Sequence, residues 1–278
     1  MTILKKNLTN ISEFENFISD EPKRQFFLNE MYFALPSVSS LIKRDTKSIL
    51  EVGCGPGLLL AQVKKNFPML KLSGIEPASY EWSFFSNTLD KLSEIYKLNI
   101  FRDVYENYKE NDKFDLIYLI NVYEHLPNHG HFLKFVQEHL SPSGVCLILC
   151  PNYSFPYEPH FKIPIILNKK ITHFLFKNKI KNYEEKNNCF DLWENLNFVN
   201  SNSLSQDAAN NKLNITFNQK ILRDMINRLA DDKEFFNRQK GLAWVAQFMM
   251  KTGLLKIFEY PFMFRFNPYL MAVISLKD

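Results

Sequence analysis

Residues 49–57 read Ile-Leu-Glu-Val-Gly-Cys-Gly-Pro-Gly, the end of an apolar strand running straight into a turn with glycine at every second position. No other stretch of the chain constrains its fold as much. Glycines at 53, 55 and 57 permit backbone dihedrals closed to other residues and remove side chains where a bulky ligand must approach the main chain. The apolar run Leu58, Leu59, Leu60, Ala61 and Val63 follows and begins a helix near Gly57. A strand, a glycine turn and a helix in that order open a parallel α/β unit that holds a nucleoside beyond the strand's carboxyl end. Glu51 stands just before the turn, where a dinucleotide site has no special need of a carboxylate.

Alternation of strands and helices continues downstream. Strands are expected at 47–52, 70–75, 97–102, 114–120 and 145–150, short and apolar on both faces as buried parallel strands are. Helices are expected from Pro77 toward 92 and over 130–140, and Ser141 to Gly144 reads as the turn into the fifth strand. This pattern predicts an α/β fold: a doubly wound, mostly parallel seven-stranded sheet, helices on both faces, and helical elaborations over the acceptor site. Residues 1–46 form an N-terminal helical extension, with helix over 9–45 punctuated by Pro22 and Pro36. Residues 47–150 are the nucleoside-binding core, and 151–216 are a cap or insertion rich in Asn, Lys and aromatics. Residues 217–278 complete the fold, with a helix including Ile221 to Leu229, a helical insertion at 242–260 and a last strand at Tyr269 to Ser275.

Strand two ends Gly74-Ile75-Glu76-Pro77, which places a carboxylate where it can accept both ribose hydroxyls of a nucleoside. By itself this suits a nicotinamide cofactor equally well. The pattern E-x-G-x-G-x-G at 51–57, taken with 72–77, Asp103 and the run Phe114 to Leu126, resembles class I S-adenosylmethionine-dependent methyltransferases across roughly residues 45–150. The E-H-L of Glu124-His125-Leu126 and the Pro151-Asn152 exit are similar to the broad small-molecule and quinone-precursor branch. The resemblance implies S-adenosylmethionine as donor and S-adenosylhomocysteine as product. It implies a donor site of Glu51, Gly53, Cys54, Gly55, Gly57, Glu76, Pro77, Asp103, Val104, Asn121 and Val122. Asp103 matches the acidic residue that contacts the adenine amino group, and Asn121 and Val122 stand beside the methionine moiety. Glu51 either holds the donor's amino group or satisfies backbone donors of the turn. Cys54 is a small residue in that turn, with no nucleophilic role.

The segment 151–164 leaves strand five at the rim where open sheets bind ligands, and three prolines after Pro151 stiffen it. Tyr153, Tyr157 and His160 are its candidates for contact with an acceptor. His160 and His125 are the candidate bases for an acceptor hydroxyl, with core packing or helix-start architecture the alternative use of each. No metal centre is expected, because the six histidines are sequence-dispersed and neither an H-x-x-x-H spacing nor a cysteine pair supports a committed site.

The expected reaction is O-methylation of a small molecule by direct methyl transfer. Protein or RNA methylation and a noncatalytic nucleoside-binding scaffold are the competing readings. A net charge of +4 spread over a lysine-rich chain gives little reason to expect a nucleic-acid partner. A basic amphipathic segment at 169–181 leaves peripheral membrane contact open, against ordinary burial or a homodimer contact. The four cysteines imply no disulfide scaffold, and the N-terminus lacks an apolar signal core, so a cytoplasmic location is expected.

Overall fold

A computed structural model describes residues 14, 16–77, 85–231, 248–249, 251–260, 263 and 266–277. The chain divides into two compact units, one of Met1–Ile120 with His131–Leu147 and the other of Asn121–Gly130 with Ile148–Lys277.

In the first unit, helix α1 (Glu21–Leu41) starts at Asp20, whose side chain accepts the Lys23 N–H, with Pro22 in the first turn. It buries Leu28, Met31, Leu35 and Val38, a stripe at helical spacing. Two expectations need correction here. Residues 16–20 are turn and extended chain, and Pro36 lies inside the helix without ending it. Proline removes one backbone bond, but the buried stripe on both sides holds the axis together. Residues 9–13 of the expected helix lie outside the described residues.

Strands β1 (Ser48–Val52), β2 (Lys71–Ile75), β3 (Asn99–Phe101) and β4 (Phe114–Ile120) follow, with α2 (Leu58–Asn66) and α3 (Ser86–Tyr96) between them. The expected helix from Pro77 falls partly on 78–84, outside the described residues, and α3 runs four residues beyond its expected end. Strand β1 pairs in parallel with β2 and β4, and β2 pairs in parallel with β3. This register sets Glu51 beside Gly74 on one neighbour and Tyr118 on the other. Asp115 ties the layer together by accepting from the Lys47 and Ser48 N–H groups and the Ser141 hydroxyl at 2.7, 3.2 and 2.9 Å.

Helix α4 (His129–His139) runs directly into β5 (Leu140–Pro151), so residues 141–144 are strand and not the expected turn. Two contacts explain the difference. The Ser141 hydroxyl is bound to Asp115, and a Cβ on Gly144 would lie 2.7 Å from the Phe114 carbonyl, so only glycine lets the chain pass this close.

The second unit contains a two-stranded hairpin, β6 (Tyr157–Glu158) with β7 (Ile163–Pro164), then α5 (Lys169–Asn187), α6 (Leu192–Asn195) and α7 (Ser201–Asn210). Tyr153, Phe161, Ile163, Ile180, Trp193 and Leu196 form its apolar core. Helix α5 buries little beyond Thr172 and Ile180, leaving Phe174 and Leu175 exposed. Strand β8 (Leu213–Phe217) was not foreseen at this position, although Leu213, Ile215 and Phe217 alternate with polar residues as a half-buried strand requires. It pairs antiparallel with β9 (Tyr269–Leu276), and α8 (Ile221–Asp231) lies between them in sequence. The expected insertion at 242–260 lies outside the described residues up to 247. Its remainder includes a 3₁₀ segment at Leu254–Glu259.

The seven-stranded sheet has the order β3-β2-β1-β4-β5-β9-β8, mostly parallel and flanked by helices on both faces, as expected for the doubly wound fold. Among the described residues no helix is long and apolar enough to cross a membrane.

Candidate active site

In the first unit the β1 strand delivers the chain into a turn in which Gly53, Gly55 and Gly57 all have positive φ, at 73°, 52° and 78°. The Gly53 and Cys54 N–H groups donate to the Ile75 carbonyl at 2.8 and 3.1 Å, and Gly57 N–H closes the turn on Cys54. The glycines differ in their surroundings. A Cβ on Gly57 would lie 2.7 Å from Leu89 Cδ1, whereas one on Gly55 would meet nothing within 4 Å among the described residues. Gly57 serves packing against α3, and Gly55 has no such described neighbour. Gly57 also caps α2, whose first-turn N–H groups have no partner within the helix itself.

Two buried carboxylates flank this turn. Glu76 accepts the Gly55 N–H at 2.7 Å on Oε2, and burial raises its pKa to about 7 against the opposing effects of that bond and Arg102. Glu51 accepts from the Tyr118 hydroxyl at 3.1 Å. Burial also holds the Glu51 carboxyl well above the ordinary carboxylate range, an effect that Tyr118 opposes and the nearby Glu76 reinforces. Burial likewise raises the Cys54 thiol, which argues against a thiolate nucleophile there.

Asp103 is at the surface after β3. It accepts from the Val104 N–H at 2.7 Å and Asn107 Nδ2 at 2.9 Å, and these bonds lower its pKa. Val104 is exposed and Pro77 is half-buried.

The second unit gathers the candidates for acceptor chemistry. Asn121 has a left-handed φ of 54° and donates its N–H to the Leu149 carbonyl at 2.8 Å. Val122 leads into a 3₁₀ turn over Tyr123–His125. Asn197 fastens that turn, its N–H donating to the Glu124 carbonyl at 2.6 Å and its Nδ2 to the Leu126 carbonyl at 2.7 Å. His125 and His160, 35 positions apart in sequence, meet edge to face with ring centroids 5.3 Å apart. Burial and then the neighbouring His160 lower the His125 pKa to about 3, so its imidazole is neutral. His160 Nδ1 lies 2.6 Å from Glu158 Oε1. Glu158 is buried, and its other oxygen accepts the Phe161 N–H at 2.7 Å. Held in this way, His160 directs Nε2 away from the carboxylate.

The Tyr153 ring is buried and stacked on Phe198 at 4.5 Å, and its hydroxyl donates to Glu158 at 3.4 Å. Tyr157, in β6, is exposed. Tyr118 and Asn197 escaped the sequence reading as site residues, whereas Glu124 and Glu158 are legible there only as neighbours of His125 and His160. The closeness of Glu158 and His160 in sequence was the available signal, and the turn after β6 brings the two side chains together.

Comparison with known proteins agrees with this architecture. A methyltransferase domain family model matches residues 26–216. The uncharacterized protein Rv1509 of Mycobacterium tuberculosis is 30% identical over 195 residues, which are 69% of this chain and 66% of that protein, just under two-thirds of its length. Pavine N-methyltransferase of Thalictrum flavum subsp. glaucum is 26% identical over 119 residues, 42% of this chain and 33% of that protein. Among solved structures, the plantazolicin methyltransferase BpumL, in complex with a triazolic desmethylPZN analog and SAH, superposes with a TM-score of 0.53 at 16% identity, covering all of this chain and 99% of that one. At that identity the likeness speaks for the fold. The family match spans well over half of the sequence, and the chain therefore belongs to the methyltransferase domain family.

Proposed function

We propose that this protein transfers the methyl group of S-adenosylmethionine to an oxygen of a small-molecule acceptor. The observation that carries the donor assignment is the buried Glu76 carboxylate, bound to the N–H of a glycine beside which no described residue stands within 4 Å of an added Cβ. A ribose brings two hydroxyl donors to such a carboxylate, and the nearby buried Glu51 suits the positive charge of a donor that is both a sulfonium and an ammonium. Asp103, at the end of β3, serves the adenine amino group in this reading, and Asn121 and Val122 serve the methionine end.

The sulfonium already activates the methyl group, so the protein has to bind, orient and exclude water. An acceptor oxygen forms its bond to the methyl carbon as the carbon–sulfur bond breaks, and the electron pair leaves with sulfur as S-adenosylhomocysteine. The acceptor's hydroxyl proton must also depart, and the paired imidazoles of His125 and His160 assist that loss. Such assistance distinguishes an oxygen acceptor from an amine, which attacks as the neutral base and sheds its proton afterwards. Relatives named as N-methyltransferases support nitrogen as the second reading.

Titration calorimetry with S-adenosylhomocysteine tests the donor site. Glu76→Ala should weaken binding by about 1.5–3 kcal/mol, roughly 10- to 150-fold, the range for hydrogen bonds to a charged group. Unchanged affinity in a folded variant contradicts the ribose role. Mass spectrometry on a panel of hydroxyl and amine acceptors then identifies the methylated atom.

A further inference from the structure

We propose that Glu124, His125 and His160 bind a divalent transition-metal cation. Each has a ligand-capable atom within 4.8 Å of those of the other two. The set is one carboxylate and two imidazoles on a short turn and a facing loop, and its donors suit Zn²⁺ and its neighbours better than Mg²⁺, which favours oxygen ligands. Three protein ligands leave a coordination position for water or an acceptor oxygen.

A second observation is independent of that proximity. Metal-ligating histidines characteristically give their other ring nitrogen to a carboxylate, which sets the tautomer and the ring orientation. His160 has this arrangement: Glu158 takes Nδ1 at 2.6 Å, and Glu158 is itself held by the Phe161 N–H and the Tyr153 hydroxyl. With Nδ1 held by Glu158, a bound ion would take Nε2. On the other side, the two hydrogen bonds from Asn197 fix the backbone that presents Glu124 and His125. The ligands thus stand on supports that hold without an ion, which lowers the ordering cost of binding one.

The ion's role rests on the oxygen-methylation reading: a cation with an open position polarises a coordinated hydroxyl and makes its proton easier to lose, which is the assistance assigned above to the two histidines. Its binding does not depend on that reading. Chelator-treated full-length protein should take up one Zn²⁺ or Co²⁺ per chain, and Co²⁺ should give a visible absorption band that Zn²⁺ removes and Mg²⁺ does not. In wild-type protein, Zn²⁺ should protect His125 and His160 from diethyl pyrocarbonate while the exposed His131 stays reactive. Glu124→Gln and His160→Ala should weaken binding at least tenfold. Glu158→Gln, a change to a positioning residue, should weaken it roughly 10- to 100-fold and alter the Co²⁺ band.

Absence of saturable uptake, or protection of neither histidine, overturns the proposal. The footprint needs no variant, so poorly folding mutants leave the result decisive. S-adenosylhomocysteine binding measured on the same sample separates the two readings. Donor binding without metal uptake sinks the metal site alone, and metal uptake without donor binding sinks the donor assignment alone.

Discussion

Glu76 illustrates how one buried carboxylate links fold, ligand and pH. Its folded pKa of about 7 lies above the ordinary 4.5, so the native protein without ligand favours the protonated form. That contribution to stability is fully present below the unfolded value and is lost as pH rises through about 7. A ribose that donates two hydrogen bonds favours the ionised form instead, so donor binding should release a proton near and below neutrality. S-adenosylhomocysteine affinity should accordingly climb by up to roughly tenfold per pH unit below 7 and level off above it. Calorimetry in buffers of different ionisation heat reads the released proton directly, and Glu76→Gln should flatten the profile. A wild-type affinity independent of pH between 5 and 8 contradicts a direct bond between ligand and Glu76. The carboxylate itself was legible in the sequence, because its place follows from counting along a strand. Its partner at Gly55 was not, since that contact is closed by the turn's dihedrals.

At the scale of elements, the glycine turn and α1 give opposite lessons. Gly55 and Gly57 look alike in sequence, yet the structure gives them different tasks. Gly55→Ala should cost about 1–2 kcal/mol for its left-handed backbone and leave the protein folded, while lowering donor affinity at least tenfold because the new methyl enters space beside the turn that no described residue occupies. Gly57→Ala adds the 2.7 Å clash with Leu89 to the same backbone cost, so its larger effect should be on the melting temperature. If both variants lose donor binding in proportion to stability, the distinction fails. Helix α1 was legible as a helix but not in its extent, because the stripe from Leu28 to Val38 overrides the break that Pro36 suggests. Pro36→Ala restores an N–H to the helix and should raise the melting temperature by about 2 °C or more, for a gain of roughly 1 kcal/mol. A lower melting temperature would mean that packing requires the proline's local distortion.

Over the whole molecule, the four strands β1 to β4 were readable within a few residues, since each is a short apolar run between polar breaks. Strand β8 was hidden in a polar stretch, because an edge strand buries so little that its alternation is faint. The aromatic-rich segment after Pro151 gave little of its layout beyond the rim loop and the amphipathic stretch at 169–181, which lies within α5. Its core depends on residues as far apart as Tyr153 and Leu196. Phe161→Ala, in the middle of that core, should destabilise the protein by about 3–5 kcal/mol, measurable by thermal or denaturant unfolding. A loss below 1 kcal/mol would show that the aromatic cluster collapses freely around the gap.

Local chain properties, namely apolar runs, glycine spacing and carboxylates at strand ends, determined every strand of the sheet except β8 and pointed to the methyltransferase class without any coordinates. Tertiary structure alone decided that Tyr118 meets Glu51, and that His125 and His160 gather with Glu124 and Glu158. The physical reason is that strand register and loop return set those meetings, and both arise from packing between segments that no local pattern connects.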